Sequence, residues 1–276
     1  MNESISFGLS PCPNDTFSFY AMLNGKIQMP FVIDPHMADV ECLNDWALKG
    51  RLDMTKVSFG VLGNILQDYV LLRSGSALGR GCGPLIVAKK RLTLDDLRGL
   101  RVAIPGEHTT AALLLRLYMN GAVHAVSMPF DQIAREVSLS NVDAGVIIHE
   151  TRFTYGSYGL ECVVDLGEWW EQKTGLPIPL GGIVARRNLG RTTLNLLNEV
   201  LKISVLYALE RKTAPMEFVR RHAQEMDVDV MEKHIGLYVT SWTVDLNQEG
   251  IKAVEYLVHL GNDLGLWRNY SGDILF

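Results

Sequence analysis

The sequence predicts an α/β protein made of two similar lobes, and three observations support that prediction. Strand and helix patterns alternate along most of the 276 residues, an arrangement typical of α/β proteins. A strand–loop–helix pattern near residue 5 returns near residue 101. Two apolar β segments, 83–90 and 180–187, flank the second pattern, as expected of chain that crosses between lobes. We therefore expect residues 1–86 and 183–276 to form lobe 1, and residues 87–182 to form an inserted lobe 2.

The two repeated patterns are delimited by their loop and turn residues. Residues 5–10 have the pattern of a strand, the proline-containing segment 11–15 ends it, and a helix is predicted over 16–23. Asn14 or Asp15 is suited to cap this helix, and Gly25 to follow its last turn. The second pattern has a strand over 101–104, a turn over 105–108 and a helix over 109–119 that ends at an Asn-Gly pair.

Later segments repeat as well. Residues 50–58 and 140–148 each place an aliphatic residue and an aspartate before a strand. Two βα lobes of related design would present their strand ends to one crevice, which predicts a two-lobed, type 2 periplasmic-binding-protein-like fold with a hinge between the lobes. From residue 192 onward, apolar residues at three- and four-residue spacing predict helices that pack on lobe 1.

Composition and charge exclude several classes of protein. Hydrophobic residues make up 47% and charged residues 21% of the chain, which is typical of a globular protein. The net charge is −5 without a basic run, which argues against a nucleic-acid partner. The apolar stretches are too short to span a membrane. The first residues lack the pattern of a secretory signal, so we expect a cytoplasmic protein, a monomer or homodimer, with reduced cysteines.

Several cofactor and nucleophile motifs are missing from the sequence. Residues 79–83 are rich in glycine but fit neither the P-loop nor the dinucleotide-binding pattern. The chain also lacks H-E-x-x-H and G-x-S-x-G. An enzyme with this sequence is therefore expected to work without a metal or a bound cofactor, using acid–base groups and substrate positioning.

Two polar loops are candidates for ligand binding. Thr109 and Thr110 begin a predicted helix, where free N–H groups and the helix dipole favour a carboxylate or phosphate. The alternative is that Thr109 only caps the helix. Asn14 and Asp15 lie in a stiff loop at the end of a strand, where open α/β sheets bind ligands, and the alternative is a capped turn.

His149 is the strongest single candidate for chemistry. It follows the apolar strand predicted over 144–148, and imidazole titrates near neutral pH, which suits a general base. The alternative is a structural histidine. Arg152 is close enough in sequence to join the site, or it lies in a surface loop. Lys56, in the equivalent strand of lobe 1, is expected to bind an anion rather than form a Schiff base.

Five motifs occur in order along the chain: Ser10-Pro11-Cys12-Pro13-Asn14-Asp15-Thr16-Phe17; Leu78-Gly79-Arg80-Gly81; Pro105-Gly106 with His108-Thr109-Thr110; Ile147-Ile148-His149-Glu150 with Arg152-Phe153-Thr154-Tyr155; and Thr174-Gly175-Leu176-Pro177 with Pro179-Leu180-Gly181. Together they resemble the 1,4-dihydroxy-6-naphthoate synthases of the futalosine route to menaquinone. The resemblance extends from about residue 4 into the C-terminal helices.

The resemblance implies a lyase with its active site in the cleft between two lobes. The family converts cyclic dehypoxanthinyl futalosine, a carboxylate, to 1,4-dihydroxy-6-naphthoate and dihydroxyacetone. Its base matches His149, and its ligand contacts match the stretches Thr55-Lys56-Val57 and Thr109-Thr110. Asn14 and Asp15 would then orient sugar hydroxyls with the help of Ser58. A small-anion solute-binding protein and chorismate dehydratase of the same pathway are the alternatives.

Overall fold

The structure is a computed structural model that describes residues 4–121, 123–223, 227–267, 270 and 272–276. Its strands are β1 (Ser4–Leu9), β2 (Val32–Met37), β3 (Met54–Ser58), β4 (Tyr69–Leu71), β5 (Ala77–Gly79), β6 (Leu85–Ala88), β7 (Arg101–Ile104), β8 (His124–Ser127), β9 (Ala144–Ile147), β10 (Glu161–Asp165) and β11 (Ile178–Arg186).

The α-helices are α1 (Pro13–Ser18), α2 (Tyr20–Leu23), α3 (Val40–Leu48), α4 (Phe59–Ile65), α5 (Leu94–Leu97), α6 (Thr110–Tyr118), α7 (Phe130–Ser138), α8 (Thr151–Thr154), α9 (Leu166–Thr174), α10 (Gly190–Glu210), α11 (Met216–His222), α12 (Val228–Tyr238), α13 (Ser241–Val244) and α14 (Gln248–Asp263). Short 3₁₀ helices cover Tyr155–Tyr158 and Arg187–Leu189. None of the described helices is long and apolar enough to cross a bilayer.

Two sheets form the centres of two lobes with related topology. The first sheet has the order β2-β1-β3-β11-β4, and β5 also pairs with β11. The second has the order β10-β6-β9-β7-β8. In each lobe, three parallel strands are joined through helices, and an antiparallel strand lies beside the third of them. The α/β, two-lobed fold predicted from the repeats is therefore confirmed.

Sheet membership places the lobe boundaries a few residues from the predicted ones. β6 pairs with β9 over Leu85–Ala88, so it lies wholly in the second sheet. β11 pairs with β3 over residues 181–185, so it lies wholly in the first sheet. The predicted boundaries at 86/87 and 182/183 thus cut through strands. The chain crosses between lobes at 80–84 and 175–177, because a strand paired along its length belongs to one sheet.

The first loop also differs from its prediction. The helix expected over 16–23 begins earlier, at Pro13, and is divided into α1 and α2. Proline fits the first helical position because its fixed φ suits the helix and its missing N–H is not needed there. The side chains of Asn14 and Asp15 do not cap α1, since Cys12 occupies the cap position. In lobe 2, by contrast, Thr109 caps α6 as expected, accepting a hydrogen bond from the Ala112 N–H.

The C-terminal helices pack on lobe 1, as the apolar spacing predicts. Buried residues of α10, including Leu194, Leu197 and Leu201, join the core above the first sheet. Helix α12 packs on α1 and β5, which brings the buried face of α12 to the edge of the cleft. A further hydrophobic cluster continues from lobe 1 into lobe 2 through α4 and α6. The lobes are thus in contact, and the site lies where the strand ends of both sheets meet.

Candidate active site

A cavity between the lobes contains about 670 Å³ of empty space, its open mouth included, and is lined by residues of both lobes. Its polar lining residues are Ser10, Asn14, Asp15, Lys56, Ser58, Thr109, Thr110, His149, His234 and Tyr238. Its apolar lining residues are Val40, Val57, Ala77, Cys82, Pro84, Ala111, Ile148, Leu180 and Gly181. An apolar wall beside converging polar groups suits a ligand that carries both a ring and charged or hydroxyl substituents.

A buried ion pair fixes the polar groups of lobe 1. Lys56 Nζ lies 2.6 Å from Asp15 Oδ1, and both side chains are almost fully buried. Asp15 also accepts hydrogen bonds from the Ser10 hydroxyl at 2.9 Å and from Asn14 Nδ2 at 2.9 Å. These bonds satisfy the carboxylate, as a buried charge requires. Lys56 itself lines the cavity, so its ammonium is placed to meet an anionic ligand.

Ser58, at the end of β3, presents a hydroxyl to the same cavity. Its N–H donates to Asn44 Oδ1 at 2.8 Å, and its Oγ accepts from Asn44 Nδ2 at 3.2 Å. Because the Asn44 amide supplies the donor, the hydroxyl hydrogen of Ser58 is left to donate elsewhere. The expectation that Ser58 assists binding is therefore compatible with its geometry.

The start of α6 offers backbone donors rather than threonine hydroxyls. The Thr109 hydroxyl donates to Gly106 O at 2.8 Å and caps the helix. The Thr110 hydroxyl donates to Leu180 O and accepts from the Gly60 N–H, so it joins the two lobes. Both hydroxyl hydrogens are thus occupied. The first N–H groups of α6, at Thr110 and Ala111, remain as donors for an anion at the helix N-terminus.

His149 lies at the end of β9 in a strained conformation. Its φ of 54° falls in the left-handed region, which is uncommon for residues other than glycine and clusters at functional sites. The half-buried ring lies 4.9 Å from the ring of Phe130 and 6.0 Å from that of His234. Cys12 Sγ lies 3.6 Å from its Nδ1. The imidazole of lobe 2 therefore meets groups of lobe 1 inside the cavity.

Two cavity residues, His234 and Tyr238, were missed from the sequence, as was Cys12, which lies outside the cavity lining but next to His149. Burial and the nearby Glu150 carboxylate raise the pKa of the Cys12 thiol well above its usual value, which keeps it protonated. Burial likewise raises the pKa of Tyr238, and burial together with the neighbouring His149 and Lys56 lowers that of His234. The sequence does carry one indication, since His234 and Tyr238 share a helical face with the buried Met231.

Not all of the predicted contacts reach the cavity. Val57 lines it, but the Thr55 hydroxyl donates to Lys56 O and packs against Gly8, outside the cavity. Arg152 is also outside. Its guanidinium bonds to Asp165 at 2.6 Å and to the carbonyls of Gly81 and Gly83. The expected substrate contacts of Thr55 and Arg152 are corrected accordingly, because the donors of both side chains are already used within the protein.

The described residues contain no cluster of three or more His, Cys, Asp or Glu side chains that is suited to a metal ion. The polar groups of the cavity are instead an ammonium, hydroxyls, an amide, imidazoles and helix N–H groups. Such a set can bind a carboxylate, orient hydroxyls and move a proton. That the reaction needs no cofactor stays a prediction.

Comparison with known proteins extends over nearly the whole chain. The model of the menaquinone biosynthesis family matches residues 5–263. A protein of Thermus thermophilus named 1,4-dihydroxy-6-naphthoate synthase is 50% identical over 92% of this chain and 93% of its own. One of Streptomyces coelicolor with the same name is 45% identical over 93% of this chain and 92% of its own.

Solved structures give the same fold. Protein AF1704 of Archaeoglobus fulgidus is 33% identical, with a TM-score of 0.90 over 95% of this chain and 98% of that one. The alkanesulfonate-binding protein SsuA of Xanthomonas axonopodis has a TM-score of 0.73 at 13% identity, over 98% of this chain and 96% of its own. At that identity the second likeness shows the fold alone, and it confirms the periplasmic-binding-protein-like architecture.

Proposed function

The chain belongs to the menaquinone biosynthesis family, and from this premise we propose that it converts cyclic dehypoxanthinyl futalosine to 1,4-dihydroxy-6-naphthoate and dihydroxyacetone. The observation that supports this most is the placement of His149. A strained imidazole at a strand end lies in an interlobe cavity lined by polar groups of both lobes. The close relatives named for this product make the assignment specific.

His149 would act as the general base. It removes a proton from the substrate and so starts carbon–carbon cleavage. The cleavage releases the sugar-derived fragment as dihydroxyacetone, and aromatisation of the remaining ring system supplies the driving force. Its neighbours Phe130 and His234 limit the motion of the ring, which favours a fixed geometry for proton transfer.

The substrate carboxylate would bind between Lys56, the Ser58 hydroxyl and the first N–H groups of α6. These groups come from both lobes and all line the cavity. A cation, a hydroxyl donor and a helix N-terminus are each favourable for an anion. Asn14 and Asp15 would orient the sugar hydroxyls, and the apolar wall around Ile148 and Leu180 would contact the aromatic rings.

The testing experiment is a turnover assay on the purified protein. Cyclic dehypoxanthinyl futalosine is added without metal or cofactor, chorismate is tested in parallel, and products are identified by mass spectrometry. We expect 1,4-dihydroxy-6-naphthoate and dihydroxyacetone in equal amounts. Unchanged substrate that raises Tm would indicate a binding protein instead. Dehydration of chorismate would indicate the other enzyme of the pathway.

A further inference from the structure

We propose that His234 is a positioning residue that holds the imidazole of His149 in place for proton transfer, an inference that rests on the proposed function. His234 lies in the middle of α12, far from His149 in the chain, and is 1% exposed. Neither the motifs nor the repeats of the sequence draw attention to it. Three features of its surroundings support the proposal.

The first feature is a hydrogen-bonded chain that fixes the orientation of the His234 ring. Lys56 Nζ donates to Asp15, and Asn14 Nδ2 donates to the same carboxylate oxygen at 2.9 Å. The Asn14 amide is therefore oriented with its Oδ1 toward His234, 3.0 Å from Nε2. An amide oxygen only accepts, so Nε2 of His234 carries the proton. The buried Nδ1 has no hydrogen-bond partner among the described residues.

The second feature is the contact between the two imidazoles. Their ring centroids lie 6.0 Å apart with an interplanar angle of 18°, which is a stacked arrangement. The ring of Phe130 contacts that of His149 edge-on, with a centroid distance of 4.9 Å. The ring centroid of Tyr238 lies 4.6 Å from that of His234. His149 belongs to lobe 2 and His234 to lobe 1. The stack therefore forms only where the lobes meet.

The third feature is the charge state of the pair. Desolvation, with His149 and Lys56 nearby, lowers the pKa of His234 well below its usual value. A neutral neighbour does not repel the imidazolium that forms when His149 accepts a proton. The titratable groups next to the pair are Lys56, Cys12 and Tyr238, and the carboxylates of Glu150, Asp15 and Asp39 act on Cys12 in turn.

The strain at His149 makes such support necessary. A left-handed residue persists only where surrounding contacts hold it, and the segment that follows β9 is a short helix, Thr151–Thr154, without buried residues. In lobe 2 the Arg152 N–H donates to the His149 carbonyl at 3.2 Å and so restrains the backbone, whereas the imidazole ring itself is contacted there by Phe130. The His234 ring, fixed by Asn14, supplies a rigid surface from the other lobe.

Two variants distinguish the contribution of the His234 ring from that of its hydrogen bond to Asn14. His234→Gln keeps a donor near Asn14 but removes the stacked ring, whereas His234→Phe keeps a ring but removes the donor. We expect kcat of the Gln variant to fall by about tenfold or more with KM within about threefold, because misplacement of a reacting group costs rate. We expect the Phe variant to lose less, about threefold in kcat, because its ring still stacks on His149 but is no longer fixed by Asn14, and its Tm should fall because the Asn14 oxygen loses its partner.

A pH measurement reports the role more directly than activity does. In the Gln variant, water enters the space of the lost ring and favours the imidazolium, so the acid limb of kcat/KM should move to higher pH by about 0.5 unit or more. The titration of the His149 Cε1–H resonance in the free protein, assigned by its loss in His149→Asn, should shift in the same direction. The Phe variant should show neither change. The exposed His259→Gln is the control.

The outcomes distinguish this inference from the proposed function. If His149→Asn is inactive while both His234 variants match the wild type in kcat and pH profile, the positioning role is wrong and the proposed base remains. Equal loss of kcat in the Gln and Phe variants without a shift of the acid limb also overturns it. Wild-type turnover of His149→Asn would instead overturn the proposed base.

Discussion

Ser58 and His149 follow equivalent strands in the two lobes, yet they differ in conformation and surroundings. Ser58 ends β3 with φ of −70° and leads directly into α4, and its backbone and hydroxyl are both bonded to Asn44. His149 follows β9 with φ of 54° and is held by ring contacts from both lobes. The same framework thus carries a relaxed polar group on one side of the cleft and a strained basic group on the other.

The loops after β1 and β7 show a similar contrast. In lobe 1, the Asp15 carboxylate lies at the cavity wall, where it accepts hydrogen bonds from Lys56 and Asn14. In lobe 2, Thr109 caps α6 and leaves backbone N–H groups facing the cavity. Under the proposed function this difference would divide the tasks, in that lobe 1 would provide a rigid electrostatic frame and lobe 2 the proton acceptor. The following predictions test that division.

The largest effect is expected at His149. His149→Asn should lower kcat by about 10²–10⁴-fold, the usual contribution of a general base, while the rise in Tm on adding substrate stays close to that of the wild type. Product formation by mass spectrometry and thermal unfolding measure the two quantities. His259→Asn, at an exposed histidine, is the control. Turnover above about a tenth of the wild-type rate would contradict the assignment of the proton acceptor to His149 of lobe 2.

Lys56→Met should reduce the free energy of unfolding by about 3–5 kcal/mol, because it leaves the Asp15 carboxylate buried without its partner. Lys49→Met is the matched control, since Lys49 also pairs with an aspartate, Asp45 at 2.7 Å, but at the exposed surface. Its cost should be less than about 0.5 kcal/mol. Urea unfolding gives both values, and similar costs for the two variants would show that lobe 1 has no such frame.

His234 should make the stability of the protein depend on pH. Its pKa is depressed in the folded state, whereas the unfolded value is about 6.5. Below about pH 6.5 the unfolded chain binds one more proton than the folded protein. The free energy of unfolding therefore decreases as the pH is lowered, by up to about 1.4 kcal/mol per pH unit.

His234→Phe should remove that part of the slope. Urea unfolding at pH 8.5, 7.5, 6 and 5 measures it. The wild type and the variant should change in parallel at the two higher pH values and diverge at the lower two. Parallel behaviour over the whole range would contradict a neutral buried His234.

The smallest effect is expected where the lobes touch at Gly106. A Cβ there would collide with the carboxylate of Glu41, which accepts a hydrogen bond from the His108 N–H across the cleft. Gly106→Ala should therefore separate the lobes and raise KM by about tenfold, or about 1.4 kcal/mol. Gly99→Ala is the control, since Gly99 also has positive φ but has no atom within 4 Å of an added Cβ. An equal KM for Gly106→Ala and Gly99→Ala would contradict a role for the contact between Gly106 and Glu41 in substrate binding.

Much of the framework was predictable because it depends on local patterns. The strands β1, β7 and β9, the cap at Thr109 and the repeated design of the two lobes all follow from apolar runs, Pro and Gly positions and a capping residue. The start of α1 and the lobe boundaries were not placed correctly. The start of α1 depends on Pro13, which fits the first helical position, whereas the lobe boundaries depend on which distant strand β6 and β11 pair with.

The residues of the candidate site likewise fall into those that the sequence predicted and those that depend on tertiary contacts. His149 and Lys56 were expected at the cleft because of their positions in equivalent strands, since strand ends in α/β proteins meet at the ligand site, whereas Ser58 was expected only from the family resemblance. Thr55 and Arg152 were expected there too, but hydrogen bonds to other parts of the chain occupy their side chains. His234 was missed, because its importance depends on a contact between α12 and a strand end in the other lobe.

The sequence by itself determined the α/β class and the two related lobes and placed His149, the proposed base, at a strand end, since these depend on periodicity and on neighbours in the chain. Only the tertiary structure decided which side chains surround that residue and how its ring is oriented. The physical reason is that burial, ion pairing and ring stacking arise between residues far apart in sequence. Lys56, Asp15, Asn14 and His234 form one chain of contacts only after β3, α1 and α12 of lobe 1 have packed together.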